Sequence, residues 1–176
     1  MSERRINRAP TLPVILIALG GLFLISVLGY GYYNLILSNP KPASLPEIVA
    51  EFSLQRHVFG TQAVDEINQL HRLEFPLSSG AVGIYGENGE ITIWVSGAPA
   101  KWMAARLTND MEERIAEANS PFSALDERDG GYRLIYEVDG LGQKHFYFQS
   151  GKLLIWLAAD HAIAEDVLID TLEFYP

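Results

Sequence analysis

The hydrophobic pattern of the chain begins with an uninterrupted apolar stretch, residues 12–33, that contains no charged side chain. As an α-helix its 22 residues would extend about 33 Å, enough to cross the roughly 30 Å hydrocarbon core of a bilayer. Arg4, Arg5 and Arg8 precede this stretch, whereas the first basic residue after it is Lys41. The asymmetry predicts a single-pass transmembrane helix with residues 1–11 in the cytoplasm and the rest of the chain outside it.

Three tyrosines, Tyr30, Tyr32 and Tyr33, fall where this helix should leave the bilayer, and amphipathic rings are typical of that interface. A cleaved signal peptide is the alternative interpretation, because it also combines N-terminal positive charge with an apolar stretch. The stretch is longer than the apolar region of a typical signal peptide, and no Ala-x-Ala site follows it directly. The pattern therefore favours an uncleaved signal anchor in the cell (inner) membrane.

Residues 34–46 are rich in proline, with Pro40, Pro42 and Pro46 opposing any continuation of the helix. This composition predicts a short, semi-stiff stalk. The remaining chain, residues 47–176, is the right length for one extracytoplasmic domain with a modest core.

Within this domain, apolar residues recur at helical spacing in three segments and alternate in five others. Asn88-Gly89 is a strong signal for a two-residue hairpin turn. The segment 47–58 fits either a helical turn or a first strand, and residues 119–131 fit a loop. The predicted elements are helix 62–71, strands 81–85 and 91–95, helix 100–117, strands 132–138, 143–149 and 153–158, and helix 161–172. This order predicts an α+β fold with an antiparallel sheet of about five strands packed with three helices.

A shift of 62 residues aligns Tyr85 and Trp94 with Tyr147 and Trp156, each pair within a hairpin followed by a helix. This match predicts a two-fold internal repeat of a hairpin–helix unit.

The alternation of strand residues then assigns side chains to the two faces of the sheet. A two-residue Asn88-Gly89 turn places Ile84 opposite Ile93 and Tyr85 opposite Thr92, so Tyr85 shares a face with Trp94. In the second hairpin, Tyr147 is expected opposite Leu154 and His145 opposite Trp156. Helices are expected on the aliphatic face, which leaves an aromatic face as a candidate surface for binding a partner. Its residues are Tyr85, Trp94, His145, Tyr147 and Trp156, with Tyr132 and Tyr136 as possible additions. The alternative is that another segment covers these rings and makes them core.

Charge and composition narrow the choice of partners. From residue 44 onward the formal charge is −12, so nucleic acid and anionic lipid head groups are poor partners. The absence of cysteine excludes disulfides, thiolate nucleophiles and iron–sulfur ligands. Adjacent carboxylates such as Glu165-Asp166 are interpreted as a solvated acidic helix face.

No spacing of histidines or carboxylates indicates a metal site, a cofactor or a catalytic group, and a histidine such as His145 is more often packed than basic. We therefore expect a non-enzymatic accessory or interaction protein. The membrane partner is the bilayer, through residues 12–33, and the protein partner is another membrane or envelope protein. The alternative function is a domain that binds or senses a small ligand, which requires a concave pocket between sheet and helix. An unrecognised hydrolase is the least favoured hypothesis.

Overall fold

A computed structural model of the chain describes residues 12–71, 75–117 and 120–176. Its first element is the apolar helix α1, Leu12–Ser38, whose 27 residues are long and apolar enough to cross a membrane. The helix continues five residues beyond the predicted span, because Leu35, Ile36 and Leu37 are compatible with a helix. It ends before Pro40, which disfavours helical backbone at the residue preceding it. Arg4, Arg5 and Arg8 lie outside the described residues.

The remainder of the chain forms an α+β domain around a sheet of nine strands. The sheet order is β2-β3-β4-β5-β9-β8-β7-β6, with antiparallel neighbours throughout, and β1 adds to β4 in parallel. The strands are β1 (Lys41–Pro42), β2 (Ile48–Val49), β3 (Phe52–Phe59), β4 (Ser79–Tyr85), β5 (Ile91–Gly97), β6 (Phe122–Asp129), β7 (Leu134–Gly140), β8 (Gln143–Ser150) and β9 (Leu153–Ala159).

Three helices cover both faces of this sheet, α2 (Thr61–His71), α3 (Lys101–Ile115) and α4 (Ala164–Phe174). Helix α4 packs on one side, which we call the α4 face, where Ile93, Phe146 and Leu157 are fully buried. Helices α2 and α3 pack on the opposite side, the aromatic face, against Val82 and Tyr147. Of the two alternatives left open by the sequence, the structure shows the covered one, because helices pack on the aromatic face as well.

Four of the nine strands, β1, β2, β3 and β6, were not assigned by the hydrophobic pattern. The segment 47–58 forms β2 and most of β3, and the predicted loop 119–131 contains β6. Strand β6 is an edge strand that exposes most of its side chains and carries a bulge between Ala124 and Asp126. Charged, bulged edges oppose pairing with other chains, and they also remove the apolar alternation by which a strand is recognised.

Of the segment expected to be a stalk, residues 34–38 belong to α1 and residues 41–46 join the domain. The amide of Lys41 donates to the Ser78 carbonyl at 2.9 Å, and that of Ala43 donates to Gly80 at 3.1 Å. Two tyrosine hydroxyls of the domain bind residues 44–46. Tyr85 donates to the Pro46 carbonyl at 2.9 Å, and Tyr175 donates to the Ser44 carbonyl at 2.7 Å. The prolines enforce extended backbone here, as predicted, but the extended chain is strand-like and packed.

The first hairpin differs from its predicted register by one residue. Ile84 pairs with Thr92 and Tyr85 with Ile91, because the connection contains five residues, 86–90, instead of a two-residue turn. Gly86 turns the chain at φ +80°, and the Glu90 carboxylate accepts hydrogen bonds from the Asn88 backbone at 3.1 Å and from its side chain at 2.9 Å. A one-residue slip exchanges the two faces of a strand, so Tyr85 lies on the α4 face.

The second hairpin is shifted by two residues, which leaves its faces as predicted. Tyr147 pairs with Trp156, and His145 with Ala158. The structure does not show the predicted repeat. Helices α3 and α4 lie on opposite faces of the sheet, and so do the matched residues Tyr85 and Tyr147.

Candidate binding cavity

A row of aromatic side chains crosses the middle of the aromatic face. Trp94 on β5 pairs with Trp156 on β9, which pairs with Tyr147 on β8, which in turn pairs with Tyr136 on β7. The ring of Tyr147 stacks on both neighbours with an interplanar angle of 6°. Its centroid lies 5.1 Å from that of Trp156 and 4.6 Å from that of Tyr136. Such stacking stabilises adjacent strands beyond the area that the rings bury.

His145 is fixed at the edge of this row by both of its ring nitrogens. The indole N–H of Trp156 donates to Nδ1 at 3.0 Å, and Nε2 lies 3.0 Å from the Gly140 carbonyl oxygen. Because an indole only donates and a carbonyl only accepts, His145 is the neutral tautomer protonated at Nε2. Burial also lowers the pKa of His145 below its ordinary value. Neither nitrogen is free to act as a base.

A cavity of about 460 Å³ opens over the tryptophans, between α2 and α3. Helix α2 packs on β3, β4 and β5, and helix α3 packs on β6, β8 and β9. The boundary between the central strands β5 and β9 is therefore left as the floor of a gap. The lining is mainly apolar; it comprises Ile67, Leu70, Phe75, Leu77, Trp94, Ser96, Leu107, Met111, Arg114, Ile115, Glu117, Ser120, Pro121, Phe122, Leu141, His145, Leu154 and Trp156.

The two tryptophans of the floor differ in one respect. The Trp156 indole N–H is paired with His145, but the Trp94 Nε1 is buried and has no acceptor within the described part of the chain. Both rings are only half-buried. A buried donor without an acceptor costs stability, so the Trp94 N–H is an unfavourable feature of the wall behind the cavity surface.

The mouth of the cavity contains an unusual leucine. Leu141 forms the β7–β8 turn with φ +55°, a left-handed conformation that is unfavourable for a leucine, and its side chain is 76% exposed. Leu70 on α2 is also exposed. Arg114 and Glu117, from the end of α3 and just beyond it, bring one charge of each sign to the lining.

Four of the five predicted site residues lie on the aromatic face. Trp94, His145 and Trp156 line the cavity, and the ring of Tyr147 is buried beneath the helices. Tyr85 does not belong to this site, because it is fully buried on the α4 face, where burial raises the pKa of its hydroxyl.

Other aromatic and apolar residues complete the account of the site. Tyr136 joins the row, whereas Tyr132 is 78% exposed. Sequence reasoning missed the contribution of α3, Leu107 and Met111, although their four-residue spacing predicted a buried face. In helix α1, Tyr30 and Tyr32 are exposed and Tyr33 is half-buried.

A cluster of charged side chains on the α4 face links the sheet to helix α4. Glu137, 6% exposed, pairs with Arg128 and, at 2.7 Å, with Lys144. The same two cations bind Glu165 of α4 at 2.8 and 3.0 Å, so Glu165 is an ion-pair residue and not merely part of a solvated face. The Arg128 hydrogen bond is the largest cause that lowers the pKa of Glu165, to about 2. All four charges are paired, which indicates a structural role.

Within the described ranges no group of three or more histidine or carboxylate residues is arranged to hold a metal ion. In comparisons with known proteins, no family model, curated protein or solved structure matches the chain. The fold and the cavity define the class only as an α+β domain that follows an apolar helix.

Proposed function

We propose that the chain is a non-enzymatic, single-pass membrane protein whose extracytoplasmic domain binds an apolar group in the aromatic cavity. The cavity over Trp94 and Trp156 is the observation that carries this proposal. Its volume of about 460 Å³ falls within the range of about 300–1,000 Å³ typical of ligand sites, and a mainly apolar lining with few polar groups is typical of them as well. The fixed, neutral His145 favours binding over acid–base chemistry.

Several costs to stability at this site support a binding role. The unpaired Trp94 donor, the left-handed Leu141 and the partly exposed indoles are all unfavourable for an isolated domain. A bound molecule would offset the third by covering the exposed parts of the rings.

A second candidate is docking of a neighbouring membrane or envelope protein, as expected for an accessory subunit. The exposed Leu70 and Leu141 at the mouth favour it, because apolar side chains around a pocket are typical of protein interfaces. Only Asn39 and Pro40 connect α1 to β1, so a domain anchored by α1 would meet partners close to the membrane. The acidic composition disfavours nucleic acid as a partner.

One matched pair of substitutions tests the cavity. Ser96 and Thr92 lie two residues on either side of Trp94, on the same face of β5, and only Ser96 lines the cavity. In the full chain, Ser96→Leu should lower the amount of lipid or protein that co-purifies after gentle extraction. The variant Thr92→Leu should leave that amount unchanged. Equal recovery with both variants, each confirmed as folded by circular dichroism, would refute the cavity as the binding site.

The membrane placement has its own test. Because the chain lacks cysteine, a single introduced cysteine can be labelled without background. A membrane-impermeant maleimide applied to intact cells or spheroplasts should modify Glu173→Cys, and should modify Ser2→Cys only after lysis. The reverse pattern would overturn the proposed orientation. Loss of an N-terminal tag from the mature protein would instead indicate a cleaved signal.

A further inference from the structure

We propose that one end of the sheet is a membrane-binding surface, which contacts the anionic head groups of the bilayer that α1 spans. This surface is the entry end, defined as the end at which the chain from α1 joins the sheet, where Lys41 pairs with Ser79. The inference rests on the membrane placement in the proposed function. It is independent of the cavity, whose lining contains none of the residues that carry it.

The register of the sheet collects basic residues at the entry end. The β5–α3, β6–β7 and β8–β9 connections lie there, because the strands that flank them pair in a row from Ser79. The basic residues in or beside these connections and β1 are Lys41, Lys101, Arg133 and Lys152. The carboxylates at this end are Asp129 and, in the last turn of α4, Glu173.

The opposite end of the sheet carries the reverse charge. It contains the β2–β3, β4–β5, α3–β6, β7–β8 and β9–α4 connections, which have no lysine or arginine among their described residues. Their carboxylates are Glu51, Glu87, Glu90, Glu117 and Asp160. The formal charge of −12 from residue 44 onward is therefore unevenly distributed, and the repulsion that it predicts for anionic lipid does not extend to the entry end.

No carboxylate neutralises the cations of the entry end. In the described part of the chain none of the four has an ion-pair partner, whereas Arg128 and Lys144 on the α4 face each pair with two carboxylates. Arg133 donates to the Tyr175 carbonyl and, at 2.7 Å, to the Tyr132 hydroxyl, which are both neutral acceptors. The positive charge at this end is therefore available to an anion outside the domain.

Two exposed aromatic side chains lie among these cations. Trp102 follows Lys101 at the start of α3 and is 68% exposed, and Tyr132 in the β6–β7 connection is 78% exposed. Lys101, Tyr132 and Arg133 line the same surface depression, so they are neighbours. Tryptophan and tyrosine beside lysine and arginine are typical of a membrane–water interface, because the rings favour the head-group layer and the cations favour its phosphates.

The connection to α1 keeps the entry end within reach of the bilayer. If the membrane span ends at Tyr33, Ser38 lies about 8 Å farther along the helix. Only Asn39 and Pro40 separate Ser38 from Lys41, so chain length limits that separation to about 11 Å. Strands of seven residues, such as β4, place the opposite end about 24 Å from the entry end. The short connection therefore favours the basic end over the acidic end as the surface that meets the membrane.

The indole of Trp102 can report this contact in the full chain. The protein would be placed in nanodiscs of phosphatidylcholine, with or without phosphatidylglycerol, that contain a trace of phosphatidylcholine with a nitroxide on its head group. The nitroxide quenches tryptophan fluorescence only at short range. Trp102→Phe gives the background from Trp94 and Trp156, and Glu87→Trp in that variant moves the exposed indole to the opposite end as a matched control.

We expect Trp102 to be quenched more strongly with phosphatidylglycerol than without it, and high salt should reduce the difference. The Glu87→Trp control should show no quenching above background in either lipid. A cation near an anionic surface contributes about fivefold to binding, so Lys152→Gln should lower the ratio of docked to undocked domain by about fivefold. Adding Lys101→Gln should bring the reduction to about thirtyfold. Arg56→Gln makes the same charge change at an exposed position within β3 and should leave the ratio unchanged.

Quenching of Trp102 that does not exceed the quenching of the Glu87→Trp control would overturn this inference. Quenching that is equal in both lipids and unaffected by Lys101→Gln with Lys152→Gln would also overturn it, because contact would then not depend on anionic head groups.

These outcomes are separate from those of the proposed function. Both faces of a nanodisc are alike, so a reversed maleimide pattern with a docked domain would overturn the proposed orientation and leave this inference standing. The expected maleimide pattern with an undocked domain would do the opposite. Loss of the N-terminal tag from the mature protein would overturn both the proposed anchor and this inference.

Discussion

The two tryptophans of the cavity floor should respond in different ways to the same substitution, phenylalanine. In Trp156→Phe the donor to His145 is removed, and Nδ1 becomes a buried acceptor without a partner on a side chain only 3% exposed. An unsatisfied buried group of this kind costs about 1–3 kcal/mol. Weaker stacking on Tyr147 adds to that cost. We expect Trp156→Phe to lower the free energy of unfolding by about 2 kcal/mol.

In Trp94→Phe the group removed is itself the unsatisfied one. Deleting a buried donor that has no acceptor relieves about 1–3 kcal/mol, which offsets the smaller apolar area that a phenylalanine ring buries. We therefore expect a change near zero. The two variants should differ by about 2 kcal/mol, or roughly 4–8 °C in Tm for a domain of this size.

Urea and thermal unfolding followed by far-ultraviolet circular dichroism would measure both variants without relying on tryptophan fluorescence. His145→Leu should remove most of the penalty of Trp156→Phe in a double-mutant cycle, and should be additive with Trp94→Phe. A Trp94→Phe variant that is destabilised as much as Trp156→Phe would refute the reasoning, because it would mean that the Trp94 N–H is satisfied in the folded protein.

Three further predictions concern other parts of the structure. Leu141→Gly should raise stability by about 0.5–1 kcal/mol, since glycine accepts φ +55°, and should weaken binding at the mouth of the cavity. Ala50→Gly, at φ 47° and outside the cavity lining, should give a similar gain in stability without weakening binding, as thermal unfolding and binding measurements would show. If Leu141→Gly and Ala50→Gly both lowered stability, the strain argument would be contradicted. Tyr85→Phe should cost about 1 kcal/mol in urea unfolding by removing the hydrogen bond to Pro46, and no change would mean that this carbonyl finds another donor. The lowered pKa of Glu165 gives stability that is fully present above the unfolded value near 4.3 and is lost as the pH falls through about 2. Since Glu165 is half-exposed, Glu165→Gln should reduce the loss of unfolding free energy over this pH interval by less than about 1 kcal/mol. An unaltered pH dependence of the unfolding free energy would show that the ion pairs of Glu165 contribute nothing.

The elements were predictable from the sequence where periodicity is strong. The uncharged stretch identifies α1 by its length and uniform apolarity. The spacing of Leu107 and Met111 identifies α3, because burial on one side imposes that spacing. The polar edge strand β6 gave no such signal, since its side chains are mostly exposed.

The faces were harder to predict, because they depend on the length of each turn. In the second hairpin the error was two residues, so His145, Tyr147 and Trp156 kept the predicted face. In the first hairpin the error was one residue, and Tyr85 moved to the α4 face. The register shifted because residues 86–90 form a five-residue loop in which the Glu90 carboxylate binds Asn88. The alternation of apolar residues does not indicate this loop, and the Asn-Gly pair predicts a two-residue turn instead. The cavity depends on which strands α2 and α3 pack against. The spacing of apolar residues within a helix shows which side is buried but not where on the sheet it packs.

The two faces of the sheet differ in how their buried polar groups are satisfied. On the α4 face the buried polar groups are satisfied, since Glu137 has two cationic partners and Tyr85 donates to a carbonyl. On the aromatic face, the Trp94 donor is unpaired in the described part of the chain, whereas left-handed residues occur on both sides, Leu141 at the cavity and Ala50 and Glu51 between β2 and β3. The unpaired Trp94 donor and the partly exposed indoles, and not backbone strain, are therefore what distinguish the cavity from the rest of the described domain.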